Sequence, residues 1–146
     1  MINLVMRCRE LPGKRLFQYK DENGKRKAIT TTQVNQYIKD ATGDNFSAKD
    51  FRTWAGSVYA LSYLLQQYNT EMGGERNLQD MLKYVSERLG NTPTVCRKYY
   101  IHPQLITIYE KGGSMTHPSL TTHTQLFGKK GLSKIEKLLL RILKTK

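Results

Sequence analysis

The chain has 146 residues, room for the core of one ordinary domain and little surplus. Lysine and arginine outnumber aspartate and glutamate 24 to 12, a formal charge of +12. Such an excess calls for a polyanionic partner, because each neutralised phosphate releases counterions, but charge alone does not separate DNA, RNA and an acidic membrane surface. No apolar run reaches the roughly 20 residues that span a bilayer.

The N-terminal stretch MINLVMRCREL has no long apolar core followed by a small-residue cleavage site, so it does not read as a signal peptide. It reads as a short amphipathic helix, with Ile2, Val5 and Met6 on one side and Arg7 and Arg9 on another. The two cysteines, Cys8 and Cys96, show no metal-ligand spacing and are expected to be reduced thiols; with three histidines and scattered acids, no metal site is expected. Next comes a hairpin: Leu16, Phe17 and Tyr19 in one arm, a turn at Asn23-Gly24, and the return at Ala28-Ile29.

Thr30 to Thr32 offer N-cap oxygens to a helix in which Val34, Tyr37, Ile38 and Ala41 recur at helical spacing, and Gly43 ends it. Ser47 then caps a long helix, with Asp50 three residues on. The segment FRTWAGSVYALSYLLQQY is apolar around much of its circumference, which marks a buried central helix. NTEMGGERN is a loop. LQDMLKYVSERLG follows as an amphipathic helix with Leu78, Met81, Leu82, Val85 and Leu89 on one face and Gly90 as its stop. Two short helices are expected over Pro93 to Tyr99 and Pro103 to Glu110.

Composition shifts at Lys111. Residues 112–125 are rich in Gly, Ser, Thr and Pro and read as a flexible linker. Residues 126–146 return to helical periodicity, with Leu132, Ile135, Leu139 and Ile142 on one stripe and Lys134, Lys137, Arg141 and Lys144 elsewhere. A basic amphipathic helix of this kind docks on its own domain, lies along DNA or touches a membrane, and docking is the commonest fate.

Two segments carry chemistry. In SAKDFRTWAG, Lys49 and Arg52 lie three apart near a helix N-terminus and share a face, where the helix dipole and two cations suit a phosphate. An isolated K-x-x-R is nevertheless more often a solvated basic face. In LGNTPTVCRKYYIHP, a helix ends at Gly90, Asn91 supplies an amide donor, and a basic run with Arg97 and Lys98 leads to Tyr99-Tyr100. A phenol is a poor nucleophile until cationic neighbours stabilise its phenolate. Two core or surface aromatics are an equally open reading of that pair. His102, in the Y-I-H-P turn, reads as structural.

Taken in order, ELPGKRLFQY, the VNQYI helix, AKDFRTWAG and LGNTPTVCRKYYIHP resemble the small type IB DNA topoisomerases of bacteria and poxviruses, over roughly residues 4 to 110. The resemblance implies a mainly α fold, the helical catalytic core shared with tyrosine recombinases, with a short β-hairpin near the N-terminus. Residues 1–111 would be the C-terminal portion of that catalytic domain.

The family's active-site tyrosine follows its LG-[HN]-T motif by nine positions, which from Asn91 reaches Tyr100 rather than Tyr99 or Tyr109. Arg52 matches the arginine that binds the scissile phosphate, Lys49 a lysine implicated in protonating the leaving oxygen, and Asn91 the donor that is histidine in poxvirus enzymes. Lys14, Arg15, Arg97 and Lys98 would contact DNA. The reaction implied needs neither ATP nor metal, and the partner is duplex DNA, met by a monomer in the cytoplasm at the nucleoid.

An arginine and a lysine of the family's catalytic set, and its N-terminal clamp domain, have no counterpart here, so the chain reads as a fragment of slight activity or none. Two alternatives stay open. A tyrosine recombinase would use similar chemistry and oligomerise through its C-terminal segment. A DNA-binding remnant would bind without reacting.

Overall fold

The computed structural model describes residues 2–69, 77–110, 126–128 and 130–144. The expected loop after Asn69 and the linker, with His117, lie outside the described residues. The chain divides into two compact units between Ala48 and Lys49.

The first unit holds α1 (Ile2–Arg9), β1 (Gln18–Lys20), β2 (Arg26–Ala28) and α2 (Thr31–Thr42). The strands pair antiparallel, with Tyr19 opposite Lys27. The turn is built by Asp21, whose Oδ1 accepts from the amides of Asn23 and Lys25 and whose other oxygen pairs with Lys27 at 3.1 Å. The strands are shorter than the hydrophobic pattern implies, and Leu16 and Phe17 precede β1.

Thr30 and Gln33 close a capping box on α2, and Gly43 ends it with φ 71°. The side chain of Asn35, midway along α2, accepts from the Ala48 amide at 3.0 Å and so satisfies one of the orphan donors at the next helix start. No residue described in this unit is buried.

The second unit is all α: α3 (Ala48–Asn69), α4 (Leu78–Leu89), α5 (Pro93–Tyr99), α6 (Pro103–Glu110) and α7 (Lys134–Lys144). Its core joins Val58, Leu61 and Leu64 of α3 to Met81 and Val85 of α4, Leu105 of α6 and Leu139 of α7. Burying residues of this size contributes about 1.5–3 kcal/mol each, and this is where the chain's apolar content is spent. Cys8 and Cys96 are free thiols, and Cys96 is buried.

The tail helix is docked by its apolar face, but not on the stripe the periodicity implies. Leu132 is 45% exposed, while Leu138 joins Ile135, Leu139 and Ile142 in the core. The cause is a second capping box, S-K-I-E. The Ser133 hydroxyl accepts from the Glu136 amide at 3.1 Å, and the Glu136 carboxylate accepts from the Ser133 amide at 2.8 Å. The helix therefore starts at Lys134, and Leu132 falls outside its first turn.

The Glu136 carboxylate also accepts from Trp54 Nε1 of α3 at 2.9 Å and from the Gly128 amide at 3.0 Å. At the other end of α7, Gln104 Nε2 donates to the Ile142 carbonyl at 2.9 Å. The tail helix is thus tied to α3 and to the start of α6.

Candidate active site

The first turns of α3 present Lys49, Arg52, Thr53 and Gly56 at i, i+3, i+4 and i+7, which places them on one face. That face meets the junction between α5 and α6. The Thr53 hydroxyl lies 3.2 Å from the Tyr99 carbonyl oxygen and 3.0 Å from that of Lys49. Ser57 Oγ accepts from the His102 amide at 3.1 Å.

Between them Gly56 lets the two backbones touch: a Cβ there would run into the Tyr100 carbonyl oxygen and come within 3.0 Å of its carbonyl carbon. His102 Nδ1 accepts from the Gln104 amide at 3.2 Å.

Tyr100 is the C-cap of α5, its amide bonded to the Cys96 carbonyl. The ring is half-buried against the core, and the Arg52 guanidinium carbon lies 4.8 Å from its centroid. Arg52 is fixed there by a second contact, Nη2 donating to the Leu89 carbonyl at 2.7 Å. Leu89 is the last residue of α4, where unpaired carbonyls make the helix end negative and favour a cation.

Asn91 Nδ2 donates to the same oxygen at 3.2 Å. Gly90 makes this possible: in the left-handed conformation, φ 61°, it turns the chain so that Asn91 comes back over the helix end. Arg52, Asn91 and Tyr100 thus gather around one carbonyl and one ring.

Lys49 stands beside them with Nζ 5.7 Å from the ring of Tyr99, and Lys98 approaches the same ring at 5.1 Å. Tyr99 is 46% exposed. Arg97 is ion-paired with Glu110 at 2.9 Å, both side chains about half exposed. Lys14 and Arg15 belong to the first unit, exposed on the segment before β1.

Burial pushes the Cys96 thiol up from its usual range, opposed by the nearby Arg52 charge, so it stays a protonated packing residue under the site. Among the described residues no cluster of His, Cys, Asp or Glu has a metal-binding arrangement, and no helix is long and apolar enough to cross a membrane.

Sequence reasoning missed Thr53, Gly56 and Ser57. One signal was present: a glycine inside an otherwise helical pattern costs stability and marks a close backbone approach. The Leu89 carbonyl carries no sequence signal.

Over residues 1–125 the chain matches the family model described as eukaryotic DNA topoisomerase I, catalytic core. The DNA topoisomerase 1B of Acanthamoeba polyphaga mimivirus, a viral protein, is 30% identical over 110 residues, an alignment covering 69% of this chain and 33% of that relative. The chain thus spans about a third of the length of the relative it matches.

Proposed function

The chain belongs to the eukaryotic DNA topoisomerase I catalytic-core family, and from that premise we propose that it carries the tyrosine half of a site for reversible transesterification of duplex DNA. The observation that supports this reading most is the gathering of Arg52, Asn91 and Tyr100 at the end of α4.

In the proposed reaction Tyr100 Oη gives its proton to solvent and attacks the scissile phosphorus. The new P–O bond is a 3′-phosphotyrosyl ester, and the bond to the 5′ oxygen breaks. Lys49 supplies a proton to that leaving oxygen, giving a free 5′-hydroxyl. Arg52, with one of its five N–H donors on Leu89, offers the rest of its fork to the nonbridging oxygens, and the Asn91 amide donates beside it.

Strand rotation relaxes supercoils. The 5′-hydroxyl then attacks the phosphotyrosine, giving its proton back to Lys49, while the bond to Tyr100 breaks and its oxygen takes a proton from solvent. The ester keeps the bond energy, so the proposed cycle consumes no nucleotide.

Lys98, Lys14 and Arg15 would contact backbone phosphates, and Arg97 would exchange Glu110 for one. Contacts of this kind are salt-sensitive and weakly sequence-dependent. A monomer acting on duplex DNA in the cytoplasm, at the nucleoid, fits this reading.

Denaturing electrophoresis after incubation with a suicide duplex, whose cleaved end diffuses away, tests it. A covalent adduct is expected, and slow. A chain that binds DNA but forms none is a binding module instead.

A further inference from the structure

The docked tail helix leaves a feature that the proposed chemistry does not use. Lys134, Lys137, Arg141 and Lys144 are all exposed. At about 100° per residue they fall within an arc of about 80° and run about 15 Å along α7. The one carboxylate of this helix, Glu136, is turned into the core and held by Trp54, Ser133 and Gly128. The exposed face therefore presents a stripe of cations with no anion of its own helix beside it. All four residues lie beyond the part of the chain that matches the family model.

Helix stability does not account for the stripe. Neighbouring cations three and four residues apart repel. Arg141 and Lys144 at the C-terminal end suit the helix dipole, but Lys134 in the first turn opposes it. A membrane helix would need its apolar face for the lipid, and here Ile135, Leu138, Leu139 and Ile142 are buried in the domain. What remains is a row of positive charge carried on a docked helix, about as long as the rise of four or five phosphates along one DNA strand.

We infer that this face of α7 is a second contact for the DNA phosphate backbone, separate from the Tyr100 site, which holds the duplex without reading its sequence. The inference rests on the reading that DNA is the substrate.

The test is equilibrium binding of a fluorescent duplex by the full chain carrying Tyr100→Phe, which removes covalent trapping, at salt from about 50 to 200 mM. Replacing Lys134, Lys137 and Lys144 by Gln keeps helix propensity and removes three charges. If each lysine neutralises one phosphate, the slope of log affinity against log salt falls by about 2.7, and low-salt affinity drops at least about tenfold. Circular dichroism should show an unchanged helix content.

An unchanged slope overturns the inference. So does an equal loss from a control with Lys25, Lys39 and Lys83 replaced by Gln, which would reduce the effect to net charge. Loss of binding to phosphatidylserine vesicles with DNA binding intact would overturn it in favour of a lipid surface. Adduct formation by the chain with Tyr100 intact is read separately: DNA binding through the stripe without an adduct sinks only the chemistry, and an adduct with an unchanged slope sinks only the stripe.

Discussion

The guanidinium of Arg52 lies over the ring of Tyr100, 4.8 Å from carbon to centroid, while one of its nitrogens is held by the Leu89 carbonyl at 2.7 Å. A cation over an aromatic face is attracted by the ring quadrupole, and a phenolate formed on that ring would be attracted more strongly still. In the proposed reaction the same guanidinium would favour the nucleophile and receive the phosphate that it attacks.

Arg52→Ala should reduce the rate of adduct formation on a suicide duplex by about 100-fold or more, the usual cost of losing one transition-state donor. DNA affinity should change only a few-fold, since many phosphate contacts share the binding. Gel-based rates at saturating DNA and a parallel binding titration separate the two, and equal losses in both would remove Arg52 from the chemistry.

Gly56→Ala places a methyl group against the Tyr100 carbonyl. Because the neighbour is backbone, the α5–α6 junction has to shift, with a cost of about 1–3 kcal/mol in stability. Thermal unfolding should show that loss, and adduct formation should fall further than the stability change accounts for, because Tyr100 itself moves. A variant as stable and as reactive as the parent would show that the contact is slack.

Glu136 gives the fold an acid-sensitive clasp. Burial pushes its carboxyl up, but hydrogen bonds from Trp54, Ser133 and Gly128 outweigh burial and hold it below the usual glutamate range. A carboxylate lowered on folding contributes stability that is complete above its unfolded pKa and is lost as pH falls through the folded one. Glu136→Gln should cost about 1–3 kcal/mol near neutral pH, because an amide cannot accept from all these donors. It should also flatten the acid limb of the stability profile. Denaturant melts at stepped pH values measure both, and an unaltered acid limb would show that the clasp does not titrate.

Cys96 has no exposed surface, and its thiol is pushed up by burial. Cys8, on α1, is only half-buried. Alkylation at neutral pH should therefore label Cys8 first and reach Cys96 only on unfolding, as peptide mass spectrometry would show. Early labelling of Cys96 would mean that the ground beneath Arg52 opens readily.

What could be read in the sequence was what neighbouring residues decide among themselves. Asn23-Gly24 marks the hairpin, Gly43 and Gly90 mark helix ends, and Pro93 and Pro103 open α5 and α6. The capping box at Ser133 and Glu136 was equally local, and passing over it put Leu132 on a stripe that Leu138 fills. The approach of Trp54 to Glu136, the shared Leu89 carbonyl and the cap that Asn35 gives Ala48 depend on tertiary packing. None of these is a pattern along the chain. The candidate site was legible as residue types at family spacing, while the geometry that joins Arg52 to Tyr100 was not.

The most direct test of the central claim is to identify the residue that bears the DNA. The chain is incubated with a suicide duplex and digested with nuclease and protease, and the modified peptide is sequenced by mass spectrometry. Tyr100→Phe and Tyr99→Phe variants are treated in parallel. The account predicts a phosphotyrosyl peptide modified at Tyr100, absent from Tyr100→Phe and present in Tyr99→Phe. A modification on Tyr99, or an adduct that persists in Tyr100→Phe, would contradict it, as would a DNA-bound chain that forms no adduct at all.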